Sequence, residues 1–248
     1  MIQTWRGLLL VAALTLIIGI VALFPARIAY RWAAPDGVML NGIQGTVWRG
    51  SADGASSGGL VLREVRWSSR PWHLLTGRAV YRIDASPAGG FIEGDVVVSL
   101  GRSITLYGSN VRSSVPLRIF ASALNVRGMQ GNASLQLDKF EVRDGLPVEL
   151  DGTVDIDSLL IPAVSRTPIG GYRAEFFTQQ DGISGSIEDT DGVVDIAGSV
   201  QLNADRSYRF LALIMAKPNT PRRLQDQLQT LPQADDAGKR ELRIEGSL

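Results

Sequence analysis

The residues whose spacing comes nearest to chemistry are four carboxylates, Glu149, Asp151, Asp155 and Asp157, in "VELDGTVDID". Side chains two apart on a strand share a face, so these groups converge on one side and could approach a calcium ion. A strand is too straight to wrap six oxygens round one ion, and the same pattern describes an ordinary wetted face. The "DID" at 155–157 falls under the same reading, so no metal site is expected.

His73 is the one histidine. No nucleophile or carboxylate stands in its local frame, and alone it cannot build H-E-x-x-H or a multi-histidine metal site. Lys139, Lys217 and Lys239, the three lysines, lie outside any G-x-x-x-x-G-K-[ST] cradle, and no serine occupies a G-x-S-x-G elbow. The absence of cysteine removes thiol catalysis, thiolate metal sites and disulfides. The residues therefore give no catalytic group, cofactor or metal, and the expectation is that the protein is not an enzyme.

Of the 25 basic residues 22 are arginine, and Arg63, Arg66, Arg70, Arg78 and Arg82 are closely spaced. A guanidinium grips phosphate as a fork, which suggests lipid or glycan phosphate; genomic composition accounts for the same bias. The 25 basic residues are balanced by 25 acidic ones, so no nucleic-acid partner is expected. At 45% apolar residues the chain can bury a core.

What would position these groups begins with an uncharged stretch between Arg6 and Arg27, in which residues 8–24 are apolar apart from Thr15 and Gly19. As a helix those residues span about 26 Å, close to a bilayer's hydrocarbon core, with Trp5 and either Tyr30 or Trp32 placed for the two interfaces. No small-residue cleavage pattern precedes Arg27, so the segment is expected to remain as an anchor. Arg6 on one side faces Arg27 and Arg31 on the other, so charge does not decide orientation. The chain then divides into a short tail at 1–6, a transmembrane helix at 7–26, a linker at 27–40 and a β-rich domain at 41–248.

From Leu40 the apolar period becomes two, the mark of strands with one buried face. Val148, Leu150, Val154 and Ile156 point one way, and the carboxylates named above point the other. Runs opened by glycine, such as "GTVW" at 45, "GDVVVSL" at 94 and "GSVQL" at 198, repeat the pattern, and "DG" at 53, 144, 181 and 191 signals tight turns. "YRFLALIMA" from Tyr208 is apolar on both faces and reads as a central strand. Two segments look helical. One is "PLRIFASAL" from Pro116. The other is "PRRLQDQLQTL", with Thr220 as cap, Pro221 in the first turn, and Leu224, Leu228 and Leu231 on one face. The fold class is mainly β: one transmembrane helix, then a curved, mostly antiparallel sheet, either a sandwich or an open trough, with one or two short helices.

In "VRWSSRPWHLLTGRAVYRI", residues 65–83, Pro71 ends one strand and Gly77 starts the next. Trp72, Leu74 and Leu75 are apolar residues in a connection, which suits the plug of an open sheet end. The stretch reads as a corner.

An apolar N-terminal segment leading to "FPARIAY", then "LNGIQGTVWRGSA", this corner, "PRRLQDQL" and "LRIEGSL" together resemble protein N of the type II general secretion pathway (GspN), over nearly the whole chain. The specific parts are "GTVWRG" at 45–50 and the Trp67, Pro71, Leu75, Gly77 pattern. That pattern is also similar to the AsmA-like membrane proteins, whose curved sheets enclose an apolar groove. The resemblance implies a single-pass protein of the bacterial inner membrane, tail in the cytoplasm and bulk in the periplasm, with an accessory role in export of folded proteins. It implies partners among the inner-membrane platform or the outer-membrane secretin, and carries no catalytic residues. Trp48 and Trp72 are the candidate docking aromatics, and Trp48, Trp67, Pro71, Trp72, Leu75 and Gly77 the candidate interaction or structural signature. The alternative is a carrier of membrane lipid, in which the apolar faces do not fully close.

Overall fold

The computed structural model describes residues 12–13, 15–33, 37–57, 60–69, 78–87, 89–100, 104–122, 126–143, 146–232, 234–236 and 238–247. Residues 15–22 are helical and leave Leu16, Ile17, Ile20 and Val21 exposed. Among the described residues no helix is long and apolar enough to cross a membrane; residues 7–11 and 14 of the expected span lie outside them.

After a break at Leu23 and Phe24 comes α1 (Ala26–Ala33), followed by β1 (Val38–Asn41), β2 (Gln44–Gly45), β3 (Arg49–Ser57) and β4 (Leu60–Ser69). The stretch read as a linker, 27–40, thus holds a helix and the start of a strand. Next are β5 (Arg78–Ala85), β6 (Phe91–Leu100), β7 (Ile104–Pro116), a 3₁₀ turn (Leu117–Ile119), β8 (Gln130–Arg143) and β9 (Leu146–Leu160). Then follow β10 (Tyr172–Gln179), β11 (Gly182–Asp189), β12 (Val194–Asn203), β13 (Ser207–Ala216), α2 (Arg222–Leu228) and β14 (Arg240–Ser247).

The strands form one 14-stranded sheet in the order β1-β3-β4 and so on to β14, with β2 pairing β3 beside β1. Every pairing is antiparallel, and from β3 onward each strand lies next to its neighbours in sequence. A single hydrogen-bonded path, with β1 and β14 as unjoined ends, is an open sheet rather than a sandwich of two.

Residues opposite one another in an antiparallel ladder point to the same face. Tracing the register gives an apolar row Val154, Ala174, Ile187, Gly198, Ala212, Leu242 across the last strands, and another, Val115, Ala133, Ile156, Tyr172, beside it. One step along each strand, the opposite face reads Arg112, Gln136, Thr153, Glu175, Ser186, Ser199. The period-two pattern is therefore in phase from strand to strand, which fixes the register. Register shifts interrupt β6 at Glu93/Asp95 and β8 at Leu137/Lys139, and bulges of this kind bend and twist a sheet.

Two patches of the apolar face are fully covered. The loop after β9 and helix α2 lay Ile169 and Leu224 over Tyr172, Val194, Ala212 and Ile214. The 3₁₀ turn sets Leu117 against Val115, Met129 and Ala133. Elsewhere Val96, Val154, Phe176 and Val200 remain partly exposed. The chain's accessible surface is 16561 Å², against about 11,000 Å² for a compact monomer of its mass.

Several local expectations change. Of "PLRIFASAL", the described residues 116–122 hold only the 3₁₀ turn, because Leu117, Ile119 and Phe120 are drawn onto the sheet rather than onto one helical stripe. Helix α2 starts from Pro221 without a side-chain cap; the Thr220 hydroxyl instead donates to the Val193 carbonyl at 2.5 Å, tying the helix to the loop before β12. The "DG" at 53 lies inside β3, those at 181 and 191 fall in the connections after β10 and β11, and the one at 144 lies outside the described residues. Strand β13 has a partner on each side but sits one position from the edge, and Leu211 and Leu213 on its polar-face side stay about a third exposed.

Candidate interaction surface

The "GTVWRG" motif is a joint between the N-terminal helix and the sheet. Gly45 ends β2 at φ +83°, and a side chain at Gly50 would meet the Gln44 carbonyl and the Trp67 ring at 2.5 Å each. Glycine at both positions lets the hairpin close with the Trp67 indole against Gly50. Trp67 then donates its ring N–H to the Thr46 carbonyl at 3.2 Å. Trp48 donates to the Val21 carbonyl at 2.7 Å, and the Val47 amide to Phe24 at 3.0 Å. The Val21 carbonyl, at the helix end, also accepts from the Phe24 amide at 3.3 Å, and the Phe24 carbonyl lies in the break that follows, so both bonds tie the hairpin to the point where the helix stops. The Phe24 and Trp32 rings, 5.7 Å apart, close the bend.

Helix α1 lies across this joint, and its Ala26 and Ala29, with Leu40, Val47, Val65, Trp67, Tyr81 and Ile83, line an apolar cavity of about 310 Å³. Tyr30, one residue on, accepts from the Leu40 amide at 3.1 Å and donates to the Val38 carbonyl at 2.8 Å. Two backbone groups of edge strand β1 are thus satisfied by one side chain. No sequence signal singled out Tyr30 for this, beyond the polar tip that every tyrosine carries.

Of the signature residues, Trp48 and Trp67 come together at the joint, each with its ring nitrogen engaged inside the chain. Pro71, Trp72, Leu75 and Gly77, with His73 and Arg70, lie outside the described residues. Of the closely spaced arginines, Arg66 and Arg82 share one face of the β4–β5 ladder; Arg82 binds Asp95, its cross-strand partner, through Nε at 3.1 Å and Nη2 at 3.3 Å, and Arg66 lies 4.0 Å from Glu64. The acidic strand is likewise occupied. Asp155 holds Arg173, its cross-strand partner, at 2.6 Å, and Asp151 accepts from the Thr178 amide at 2.7 Å. Arg209 and Glu245 make a third opposed pair at 2.7 Å, and hydrogen bonds from Arg243 and then Arg209 hold the Glu245 carboxyl below the usual range.

A partly buried polar knot that the sequence did not announce lies between β11 and α2. Asp189 accepts from Lys217 and from the Ile196 amide, and Asp191 accepts from the Gly171 amide. Burial works against the Asp189 charge, but the Lys217 and Ile196 hydrogen bonds and the lysine's charge outweigh it and lower its pKa. Burial pushes the Tyr172 phenol up to about 12, with the charges of Asp189 and Asp191 adding to the effect. The Tyr172 hydroxyl donates to Ile169 at 3.1 Å, so this knot fastens the loop after β9 to the sheet.

The sequence model described as type II secretion system (T2SS), protein N, matches residues 36–243. The chain belongs to the type II secretion system protein N family. The match runs from just before β1 into β14, the whole extent of the sheet but for its last turn of strand. Type II secretion system protein N of Aeromonas hydrophila is 26% identical over 86% of each chain, and that of Vibrio cholerae serotype O1 is 22% identical over 94% of each. No solved structure matches the chain. The N-terminal helix and α1, which the protein N model does not reach, are the parts that the joint fastens to the sheet.

Proposed function

We propose that this protein is an accessory component of the type II secretion machinery, held in the bacterial inner membrane by residues 7–26, with residues 1–6 in the cytoplasm and the sheet in the periplasm. It acts by binding other components, the inner-membrane platform or the outer-membrane secretin, and performs no catalytic step. The family match over residues 36–243 carries the secretion role. The uncharged N-terminal segment, its exposed apolar helix and the joint support the anchor. With the helix end bonded to the first hairpin, the sheet's N-terminal edge is fixed at the membrane surface. The far edge then lies twelve strand spacings on, roughly 60 Å along the sheet at about 4.8 Å per step. Trp48 and Trp67, in this reading, couple anchor to sheet, and any docking aromatic is Trp72.

A second reading rests on the partly exposed apolar face: the sheet holds acyl chains of membrane lipid. Purification of the tagged full chain in gentle detergent, followed by mass spectrometry of proteins and lipids, separates the two. Recovery of platform or secretin subunits without stoichiometric lipid is the expected result. Stoichiometric phospholipid with no secretion subunit transfers the assignment to the carrier. Because the chain has no cysteine, single cysteines placed at Thr4 and Glu188 test the topology, with only the second expected to react with a membrane-impermeant thiol reagent in intact spheroplasts.

A further inference from the structure

Strand β14 is the end of the sheet, and among the described residues nothing pairs with its outer side. It runs eight residues in unbroken register with β13 and contains no proline or bulge, two of the devices that blunt an edge; the one it carries is charge. Its charges alternate in sign. Glu241, Arg243 and Glu245 follow one another on the polar face, Lys239 continues the series one residue before the strand, and Leu242 and Ile244 lie on the apolar face, Ile244 being 46% exposed.

We propose that β14 pairs antiparallel with β14 of a second copy, about a two-fold axis through Leu242, so that one sheet runs through both chains. The charge order selects this register. Centred on Leu242, it opposes Glu241 to Arg243 twice and Lys239 to Glu245 twice, with the two Leu242 side chains meeting on the axis. Moving the axis one residue either way sets Arg243 against itself or Glu241 against itself. Moving it two residues keeps only one type of favourable pair. Cross-strand pairs of opposite sign stabilise a ladder and like charges oppose it, so the strand is complementary to itself in one register above the others. Among the described residues of one chain Glu241 has no ion-pair partner, while Arg243 shares Glu245 with Arg209. In the pair of copies Arg243 turns to the neighbouring Glu241, and Glu245 keeps Arg209 and gains Lys239. This association is independent of the secretion role, and either reading can fail without the other.

The test uses the full chain in detergent, by analytical ultracentrifugation over a range of protein concentrations. The unaltered chain is expected to dimerise. Glu241→Arg and Arg243→Glu, each at an exposed position, place like charges across the axis twice and weaken the dimer by roughly tenfold or more. The double variant Glu241→Arg/Arg243→Glu restores it. In the otherwise cysteine-free chain, Leu242→Cys should cross-link under mild oxidation, because opposed residues on paired strands come within disulfide reach. Glu241→Cys should not, because its counterpart on the other copy lies beyond that reach. A chain that stays monomeric, a dimer indifferent to the charge reversals, or equal cross-linking at both positions overturns the proposal, including when β14 takes up a strand from a different protein.

Discussion

At its N-terminal edge the sheet ends in a four-residue strand whose Val38 carbonyl and Leu40 amide are taken up by the Tyr30 hydroxyl, with β2 and α1 packed alongside. At its C-terminal edge an eight-residue strand, charged in alternating sign, meets no further strand among the described residues. Both edges belong to the same sheet and face the same demand for hydrogen-bond partners. The difference lies in what the chain sets beside them. The first edge is spent on holding α1, and the last meets no further strand among the described residues, which gives the molecule a fixed end and a free end.

Removing the largest piece of the fixed end should have the largest effect. Trp67→Ala leaves a hole over Gly50 and is expected to cost about 3 kcal/mol, read by thermal unfolding of the full chain in detergent. Unfolding unchanged within about 0.5 kcal/mol would mean that the joint carries little of the stability.

Towards the free end, Lys217→Met strands the Asp189 carboxylate, whose side chain is 10% exposed, and should cost about 2 kcal/mol. The pH dependence follows from the lowered Asp189 pKa. The pair's contribution is present above the unfolded carboxylate value of about 3.9 and is lost as pH falls through the lower folded value. A pH series of unfolding midpoints should therefore drop more steeply in the acid range for the native chain than for Lys217→Met. Parallel curves would remove the pair from the account.

Tyr30→Phe unseals the first edge without changing its packing and should cost about 1 kcal/mol. Amide exchange at Leu40 should speed up while that at Leu242 stays constant, and equal rates before and after would show that the hydroxyl is not what seals β1. The smallest effect is expected on the polar surface, where Arg209→Ala breaks an exposed ion pair and should leave the midpoint unchanged.

Leu150, Val154 and Ile156 share the apolar face as their period of two requires, whereas Val148 falls at a register shift and stays 37% exposed. The antiparallel arrangement was legible for a related reason, since the spaces between runs are too short for crossover helices. The status of Asp53-Gly54 was not legible: the dipeptide that usually turns a hairpin sits inside β3, where its neighbours on β1 and β4 decide its conformation. Neither was the fate of "PLRIFASAL", whose apolar residues satisfy a helical stripe and a patch on the sheet equally well. At the joint, sequence marked Trp48, Trp67 and the glycines as special but could not say why. The reason lies in the Val21 and Phe24 carbonyls, which only the folded chain brings near. The β14 edge was visible as "LRIEG" but not as an edge, because position within a sheet is set by order and not by composition.

The nearest-neighbour order of the strands also bears on how the molecule is made. From β3 to β14 every strand finds its partner in the one just before it. A chain delivered N-terminus first can therefore add each strand to the one before it as it emerges. The sheet can thus grow like knitting from a cast-on row, the sealed β1 edge being that row and β14 the last stitch, still open on the needle.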